Sequence, residues 1–243
     1  MKIPRFYQEA SFSVGDEFPL SSINHRHAIQ VLRLKVDDRL ILFNGKGGEY
    51  QARLFQVDKR KSTVILEAYD SVNRESSLKT NVFLAMIKSE RMDFAIQKLV
   101  ELGISSIQPI YTQRSVIKIK ENRLEKKMQH WKGVIIAACE QSQRTVIPEI
   151  SLPKTLGNGI LNNDQNCFVM LPGDYSGIKE QGKLKGENQV SLFIGPEGGF
   201  TDEEEQHMIE NGVTPISFGQ RILRAETAAI AGLTACQLEW GDL

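Results

Sequence analysis

Three apolar segments in the C-terminal half of the chain each run directly into a loop that contains glycine. The loops are MLPGDYSG (residues 170–177), FIGPEGGF (193–200) and SFGQRILRAETA (217–228). A plain turn needs only one or two turn-forming residues, whereas the second loop carries three glycines, a proline and a glutamate. Ligands of open α/β sheets bind at the carboxyl ends of strands, so three such ends predict a shared ligand pocket.

From residue 81 onward, apolar segments of strand length alternate with helical patterns. A TDEE capping box (201–204) opens a further helix, and Ser89 and Gly103 are the predicted N-cap and stop of the helix between them. This alternation predicts an α/β fold, a parallel sheet covered by helices. The predicted strands are 81–87, 105–110, 167–171, 190–194 and 214–218, and the predicted helices are 91–102, 122–142 and 225–240.

The first part of the chain has a different character. Short segments rich in β-branched and aromatic residues predict strands at 40–43, 50–57 and 62–69, and NGKGGE (44–49) predicts a hairpin connection. A helix is expected from near Asn24. The segment 71–80 is polar and without periodicity, so we predict two domains, 1–72 and 78–243.

Composition and charge narrow the class of protein. The net charge is zero, but residues 79–132 carry 11 basic and 5 acidic side chains, whereas residues 145–243 carry 6 and 14. Such a chain can present a basic face to a polyanion, although solvated helix faces account for charge runs equally well. No signal peptide or membrane span is recognisable, and three scattered cysteines form neither a metal motif nor a disulfide framework. A cytoplasmic protein without a metal is expected.

The glycine-rich loop is a poor cradle for a triphosphate. The sequence has neither G-x-G-x-x-G after a first strand nor a P-loop, and Glu197 with the acidic residues 202–205 would repel phosphate. Backbone amides of such a loop can read adenine edges, and a carboxylate tolerates an amino group or a sulfonium. These features favour S-adenosylmethionine as the cofactor.

GPEGGF followed by FGQRILRAETAAI resembles the SPOUT-class RNA methyltransferases, and more narrowly the ribosomal RNA small-subunit methyltransferase E family. Four further segments match that family: RFY (5–7), HRHAIQVLR (25–33), KSERMDFAIQKLVELGI (88–104) and EQSQR (140–144). The resemblance covers essentially the whole chain. It implies a PUA-like β-barrel, then a SPOUT α/β domain with a trefoil knot, acting as a homodimer. The implied reaction is methylation of N3 of a uridine in 16S ribosomal RNA of the small ribosomal subunit.

The resemblance also implies which residues hold S-adenosylmethionine. Phe218 stands where the family commonly has leucine, which is a conservative change. The cofactor residues implied are Leu171, Pro172, Gly195, Pro196, Glu197, Gly198, Gly199, Phe218, Gly219, Ile222, Leu223, Arg224 and Ala225.

Two residues are candidates for catalysis. Arg224 could stabilise the negative charge that develops on the deprotonated uracil, or it could simply pair with Glu226 at the start of a helix. Glu226 could accept the N3 proton, or it could be a carboxylate that favours the helix dipole. A histidine base would have to be His25 or His27, supplied by the other domain or subunit.

A set of basic residues inside the matching segments is predicted to bind RNA: Arg5, Arg26, Arg33, Lys88, Arg91 and Arg144. The alanine-rich helix 225–240 is a candidate dimer interface or, equally, a core helix. Two rival functions stay open, a ribose 2′-O methyltransferase of the same fold and a noncatalytic RNA-binding protein. The rather different final motif of ribose methyltransferases favours base methylation, and an intact GPEGG and Arg224 favour an enzyme.

Overall fold

The computed structural model describes residues 3–157 and 166–243. The chain forms two compact units. Unit 1 consists of Met1–Glu75 together with Cys139–Ile147, and unit 2 consists of Ser76–Ala138 and Pro148–Leu243. Unit 1 is therefore built from two separate segments of the chain.

Unit 1 contains a five-stranded sheet in the order β1-β3-β4-β5-β2. The strands β3, β4 and β5 are antiparallel neighbours, and β1 runs parallel to β3. The predicted hairpin between β3 and β4 is thus confirmed. The inward faces of the sheet enclose an apolar core that includes Phe6, Leu40, Leu54 and Leu66. The strand bounds are β1 Arg5–Tyr7, β2 Glu17–Pro19, β3 Arg39–Phe43, β4 Glu49–Val57 and β5 Ser62–Asp70.

The helix expected near Asn24 is only partly correct. A single α-helical turn, α1 (Ser22–His25), is capped by the Ser21 hydroxyl and then continues as a π-helical segment, Arg26–Val31. Such wider turns shift side chains around the helix axis, so an ordinary helical pattern cannot locate them. His25 is buried and its Nδ1 lies 3.0 Å from the Ser62 hydroxyl, within unit 1.

A buried ion-pair network ties Cys139–Ile147 to the rest of unit 1. Arg5 donates to Glu49 and, at 3.1 Å, to the Arg144 carbonyl, while Arg74 also donates to Glu49. Burial alone would raise the pKa of Glu49, but the hydrogen bonds from Arg5 and Arg74 outweigh it, and the pKa is lowered. The Tyr7 amide donates to Glu140 Oε1 at 2.9 Å. The segment is therefore held by charge-assisted hydrogen bonds as well as by packing.

Unit 2 contains a seven-stranded sheet in which β12-β10-β11-β6-β7-β8 lie in that order and β9 also pairs with β7. Every pairing recorded between these strands is parallel, which confirms the predicted sheet type. The two-residue strands β8 and β9 were not predicted. The strand bounds are β6 Lys79–Ala85, β7 Ser106–Tyr111, β8 Glu149–Ile150, β9 Lys154–Thr155, β10 Cys167–Met170, β11 Gln189–Ile194 and β12 Thr214–Ile216.

Four α-helices within the described part of the chain accompany this sheet: α2 Ser89–Glu101, α3 Glu121–Ser142, α4 Asp202–Glu210 and α5 Ala225–Trp240. The last residues of α3, from Cys139, belong to unit 1. The prediction of Ser89 as N-cap is wrong, because Lys88 occupies that position without a side-chain cap. Gly103, at a φ of +85°, ends α2 as predicted, and the capping box of Thr201 and Glu204 is present.

No helix among the described residues is long and apolar enough to cross a membrane.

Candidate functional site

The three glycine-containing strand ends meet at one cavity in unit 2. The strands that carry them, β12, β10 and β11, are neighbours in the sheet and parallel, so their carboxyl ends share one edge. The cavity has a volume of about 290 Å³. It is lined by twelve of the thirteen predicted cofactor residues: Leu171, Pro172, Gly195, Pro196, Glu197, Gly198, Gly199, Phe218, Gly219, Ile222, Leu223 and Ala225.

The GPEGG wall is a tight turn that requires its glycines. The Gly199 amide donates to the Pro196 carbonyl at 2.9 Å, and Gly199 adopts a φ of +71°. A side chain on Gly195 would meet the Phe200 ring at 3.1 Å. Glycine permits both the left-handed conformation and the close approach, and the capping box of α4 then begins at Thr201.

Sequence reasoning missed seven residues that line the cavity. Four are apolar: two stand at the ends of strands, one follows the GPEGG turn and one lies on α5. Three carry charge and alter the electrostatics of the site. The apolar residues are Met170, Ile194, Phe200 and Ala228, and the charged ones are Arg114, Glu205 and Arg221.

Arg114 comes from the loop after β7, a strand end without glycine, and for that reason the glycine pattern did not find it. Its Nη1 donates to the Gly198 carbonyl at 3.1 Å and to the Phe200 carbonyl at 2.7 Å. The neighbouring Gln113 amide donates to Glu204 Oε1 at 2.8 Å. A fourth strand end therefore supports the glycine-rich wall.

Carboxylates at the cavity favour a ligand that carries positive charge. Glu197 and Glu205 both contribute to the lining. Burial, followed by the nearby carboxylate of Asp202, raises the pKa of Glu205, and the positive charge of Arg114 opposes that shift. These two carboxylates would repel a phosphate group, unless the positive charges of Arg114 and Arg221 in the lining compensated for them. Among residues 3–157 and 166–243, no cluster of His, Cys, Asp and Glu is arranged to hold a metal ion.

Arg224 lies at the edge of the cavity, outside its lining. It is exposed and occupies the N-cap of α5, between the lining residues Leu223 and Ala225. Glu226 lies in the first turn of α5 and is buried. Its ion pair is with Arg91, so the structure does not form the predicted Arg224–Glu226 alternative.

Arg91 connects two carboxylates near the cavity. Its Nη1 lies 3.3 Å from Glu197 Oε1, and its Nε lies 3.8 Å from Glu226 Oε1. Glu226 Oε2 is buried and has no hydrogen-bond partner among the described residues. One guanidinium at the start of α2 thus joins the GPEGG wall to the start of α5.

The predicted RNA-binding residues fall into two groups. Arg26, Arg33 and Lys88 are exposed. Arg5 and Arg144 are buried in ion pairs with Glu49 and Glu75, and Arg91 faces the two carboxylates described above. Burial and pairing give Arg5 and Arg144 a structural role within unit 1 and do not present their guanidinium groups to a phosphate. Contact of these two residues with RNA stays a prediction.

Family models match both parts of the chain. An RNA methyltransferase domain matches residues 74–237, and an RNA methyltransferase PUA domain matches residues 25–67. The first of these models covers more than half of the chain.

Curated relatives match over nearly the full length. A ribosomal RNA small subunit methyltransferase E from Buchnera aphidicola subsp. Schizaphis graminum is 34% identical, with 100% of this chain and 98% of that protein covered. A methyltransferase from Legionella pneumophila, solved with bound S-adenosylmethionine, is 36% identical with a TM-score of 0.95, covering 100% of both chains. A ribosomal RNA small subunit methyltransferase E from Neisseria gonorrhoeae bound to S-adenosylmethionine is 32% identical with a TM-score of 0.91, covering 99% of each chain.

Proposed function

Because the chain belongs to the ribosomal RNA small subunit methyltransferase E family, we propose that it methylates N3 of a uridine in 16S ribosomal RNA with S-adenosylmethionine. The observation that carries the proposal is the meeting of three strand-end loops around one cavity. The relatives solved with S-adenosylmethionine support the choice of cofactor.

The residues at the cavity fit this cofactor. Its volume of about 290 Å³ lies at the small end of the range for small-molecule sites, roughly 300–1,000 Å³. Apolar side chains and glycine backbone suit an adenine, and Glu197 and Glu205 suit a ligand with ammonium and sulfonium groups. When bound, S-adenosylmethionine supplies a reactive methyl group, so the protein's own task is placement and proton removal.

The uracil N3 proton has to leave before or during methyl transfer. We assign its acceptance to Glu226, whose buried Oε2 has no hydrogen-bond partner among the described residues. We assign stabilisation of the developing negative charge on the uracil to the exposed Arg224, two residues before it. N3 lies on the pairing edge of the base, so the uridine has to be unpaired and turned out of its stack.

The exposed Arg26, Arg33 and Lys88 are the residues to which we assign phosphate contacts. A homodimer and a trefoil knot in the segment 167–243 complete the proposal, together with a cytoplasmic site of action beside the ribosome. The exposed side chain of Leu238 (64%), near the end of α5, is available to such a subunit interface. The buried face of α5, with Ala229, Leu233 and Cys236, serves the core of its own unit.

The test incubates the protein with S-adenosylmethionine and small ribosomal subunits from a strain that lacks this methylation. Digestion to nucleosides and mass spectrometry should reveal 3-methyluridine, and the Arg224→Ala variant should form it at least tenfold more slowly. A ribose-methylated nucleoside would replace the proposal with the ribose 2′-O reaction. RNA binding without methylation would leave a noncatalytic RNA-binding protein.

A further inference from the structure

The glycine-rich wall of the cavity is held by another part of the lining, the loop that follows β7. We infer that Arg114 is a positioning residue that fixes the wall at residues 198–200 in the shape that binds the cofactor. The inference rests on the proposed function, because it concerns the same cofactor site. It adds a residue that no glycine or family motif quoted above contains.

The contacts of Arg114 are directed at the backbone of the wall. Its Nη1 reaches the carbonyls of Gly198 and Phe200, at 3.1 and 2.7 Å, which flank Gly199. Gly199 is the residue with the left-handed φ of +71°. A positively charged donor shared by these two carbonyls therefore stabilises the part of the wall that departs most from ordinary backbone geometry.

The stem of Arg114 also approaches the wall closely. A Cβ built on Gly198 would lie 3.4 Å from Arg114 Cβ and 3.6 Å from its Cδ. These are ordinary van der Waals distances, so the arginine stem runs alongside the backbone of the wall at Gly198. Arg114 therefore contacts the wall through its stem as well as through its hydrogen bonds.

The residue before Arg114, Gln113, holds the other end of the wall segment 198–204. Its amide donates to Glu204 Oε1, while Glu204 Oε2 accepts from the Thr201 amide at 3.0 Å. Glu204 is buried, so this carboxylate links the β7 loop to the capping box of α4. Two adjacent residues of one loop thus hold residues 198–204 at both ends, and the wall takes its position from β7 as well as from β11.

Arg114 is suited to this task where lysine is not. A guanidinium offers five donors in a rigid planar arrangement, so one nitrogen can serve two carbonyls while the others face solvent or ligand. A lysine keeps the charge on a flexible stem and loses the fixed geometry. Replacement of Arg114 by methionine keeps much of the packing of the stem and removes every hydrogen-bond donor. The Arg114→Met variant therefore shows what the hydrogen bonds contribute, apart from the volume of the side chain.

The experiment measures S-adenosylmethionine binding by isothermal titration calorimetry, with the KM for S-adenosylmethionine and kcat in the methylation assay. Arg114→Met should raise Kd and KM about tenfold and change kcat less than about threefold, because the wall binds the cofactor but does not take the proton. Arg114→Lys should give an intermediate Kd. Arg123→Met, at an exposed position of α3, should match the unaltered protein.

Wild-type Kd and KM in Arg114→Met would overturn the assignment, as would a loss confined to kcat. If Arg114→Met fails to fold, Arg114→Lys decides, and wild-type binding by that variant would overturn it too. A failure of the unaltered protein to bind S-adenosylmethionine would overturn the proposed function itself, and this inference with it. Binding in the unaltered protein and its loss in Arg114→Met supports both.

Discussion

At the scale of single residues, Arg91 shows how one side chain can serve two parts of a site. It stands between Glu197 on the cavity wall and Glu226 at the start of α5. The side chains of Arg91 and Glu226 are 33% and 11% exposed, so the pair is only partly screened by solvent. Removing Arg91 would leave Glu226 buried without this cation.

We expect Arg91→Met to lower kcat/KM by about tenfold, since the buried carboxylate then loses the group that orients it. The measurement is a double-mutant cycle in the methylation assay with Arg91→Met, Glu226→Gln and the combined variant. If Arg91 acts through Glu226, the combined variant should be little slower than Glu226→Gln alone. Glu90→Gln, an exposed change in the same helical turn, is the matched control.

Fold changes that simply multiply in the combined variant would contradict this coupling. They would return Arg91 to the role predicted from the sequence, an independent contact with RNA. The sequence identified Arg91, Arg5 and Arg144 as functional arginines because they fall in family-matching segments. It could not identify their partners, because Glu197, Glu226, Glu49 and Glu75 are brought near by the fold alone.

At the scale of secondary-structure elements, α5 packs against the sheet through a residue without a side chain. A Cβ on Gly232 would lie 2.6 Å from Leu192 Cδ2 and 2.7 Å from Met170 Sδ. Leu192 is in β11 and Met170 is in β10, the two strands that carry cavity loops. The glycine therefore sets how closely α5 approaches the strands that position the site.

Gly232→Ala and Gly133→Ala should change stability in opposite directions. Alanine is favoured over glycine inside a helix by about 1 kcal/mol, and a Cβ on Gly133 in α3 would meet nothing within 4 Å. Gly133→Ala should therefore raise the free energy of unfolding by about 0.5–1 kcal/mol. Overpacking against Leu192 and Met170 should exceed the helix gain at Gly232 and leave a net loss of about 1 kcal/mol.

Urea unfolding followed by tryptophan fluorescence checks both changes, because Trp131 and Trp240 lie in unit 2 with the altered glycines. Stabilisation by both substitutions would show that the two neighbouring side chains move aside without loss. In that case the close approach of α5 would not depend on glycine.

The long elements were predictable because they repeat their pattern over many residues. Strands such as β4 and β11 and helices such as α2 and α5 lie close to their predicted bounds. The strands β1, β2, β8 and β9 have two or three residues, too few to show a period, and pairing partners define them. β12 is equally short, and it was predicted as the longer segment 214–218. The π-helical segment Arg26–Val31 was not predicted for a related reason, because the 3.6-residue period of an α-helix does not describe it.

At the scale of the whole molecule, the division into two units does not follow the order of the chain. Residues 139–147 belong to unit 1 although α3, which leads into them, lies mostly in unit 2. A change in composition locates a single boundary near residue 75. It cannot reveal that a later segment, residues 139–147, belongs to the first unit. The cavity was more predictable, because parallel strands bring their carboxyl ends to one edge whatever the order in which they pair.

Stability should fall at alkaline pH through the buried thiols, and Cys236 in unit 2 allows this to be measured. Burial raises the pKa of Cys236 from 9.0 to about 12. Between these values the unfolded chain releases the thiol proton and the folded chain keeps it, so folding stability decreases as pH rises from 9 towards 12. At pH 10.5 this thiol should lower the free energy of unfolding by about 2 kcal/mol relative to pH 8.

The Cys236→Ala variant removes that contribution and leaves the other titrating groups in place. Between pH 8 and pH 10.5 its free energy of unfolding should therefore fall by about 2 kcal/mol less than that of the unaltered protein. Any packing loss caused by the substitution is present at both pH values and cancels from this difference. Urea unfolding followed by tryptophan fluorescence reports on unit 2, because Trp131 and Trp240 both lie there. Cys139, whose pKa burial also raises to about 12, lies in unit 1, so Cys139→Ala provides the comparison with a buried thiol outside unit 2. Equal pH slopes in Cys236→Ala and the unaltered protein would mean that the thiol ionises as readily in the folded unit as in the unfolded chain.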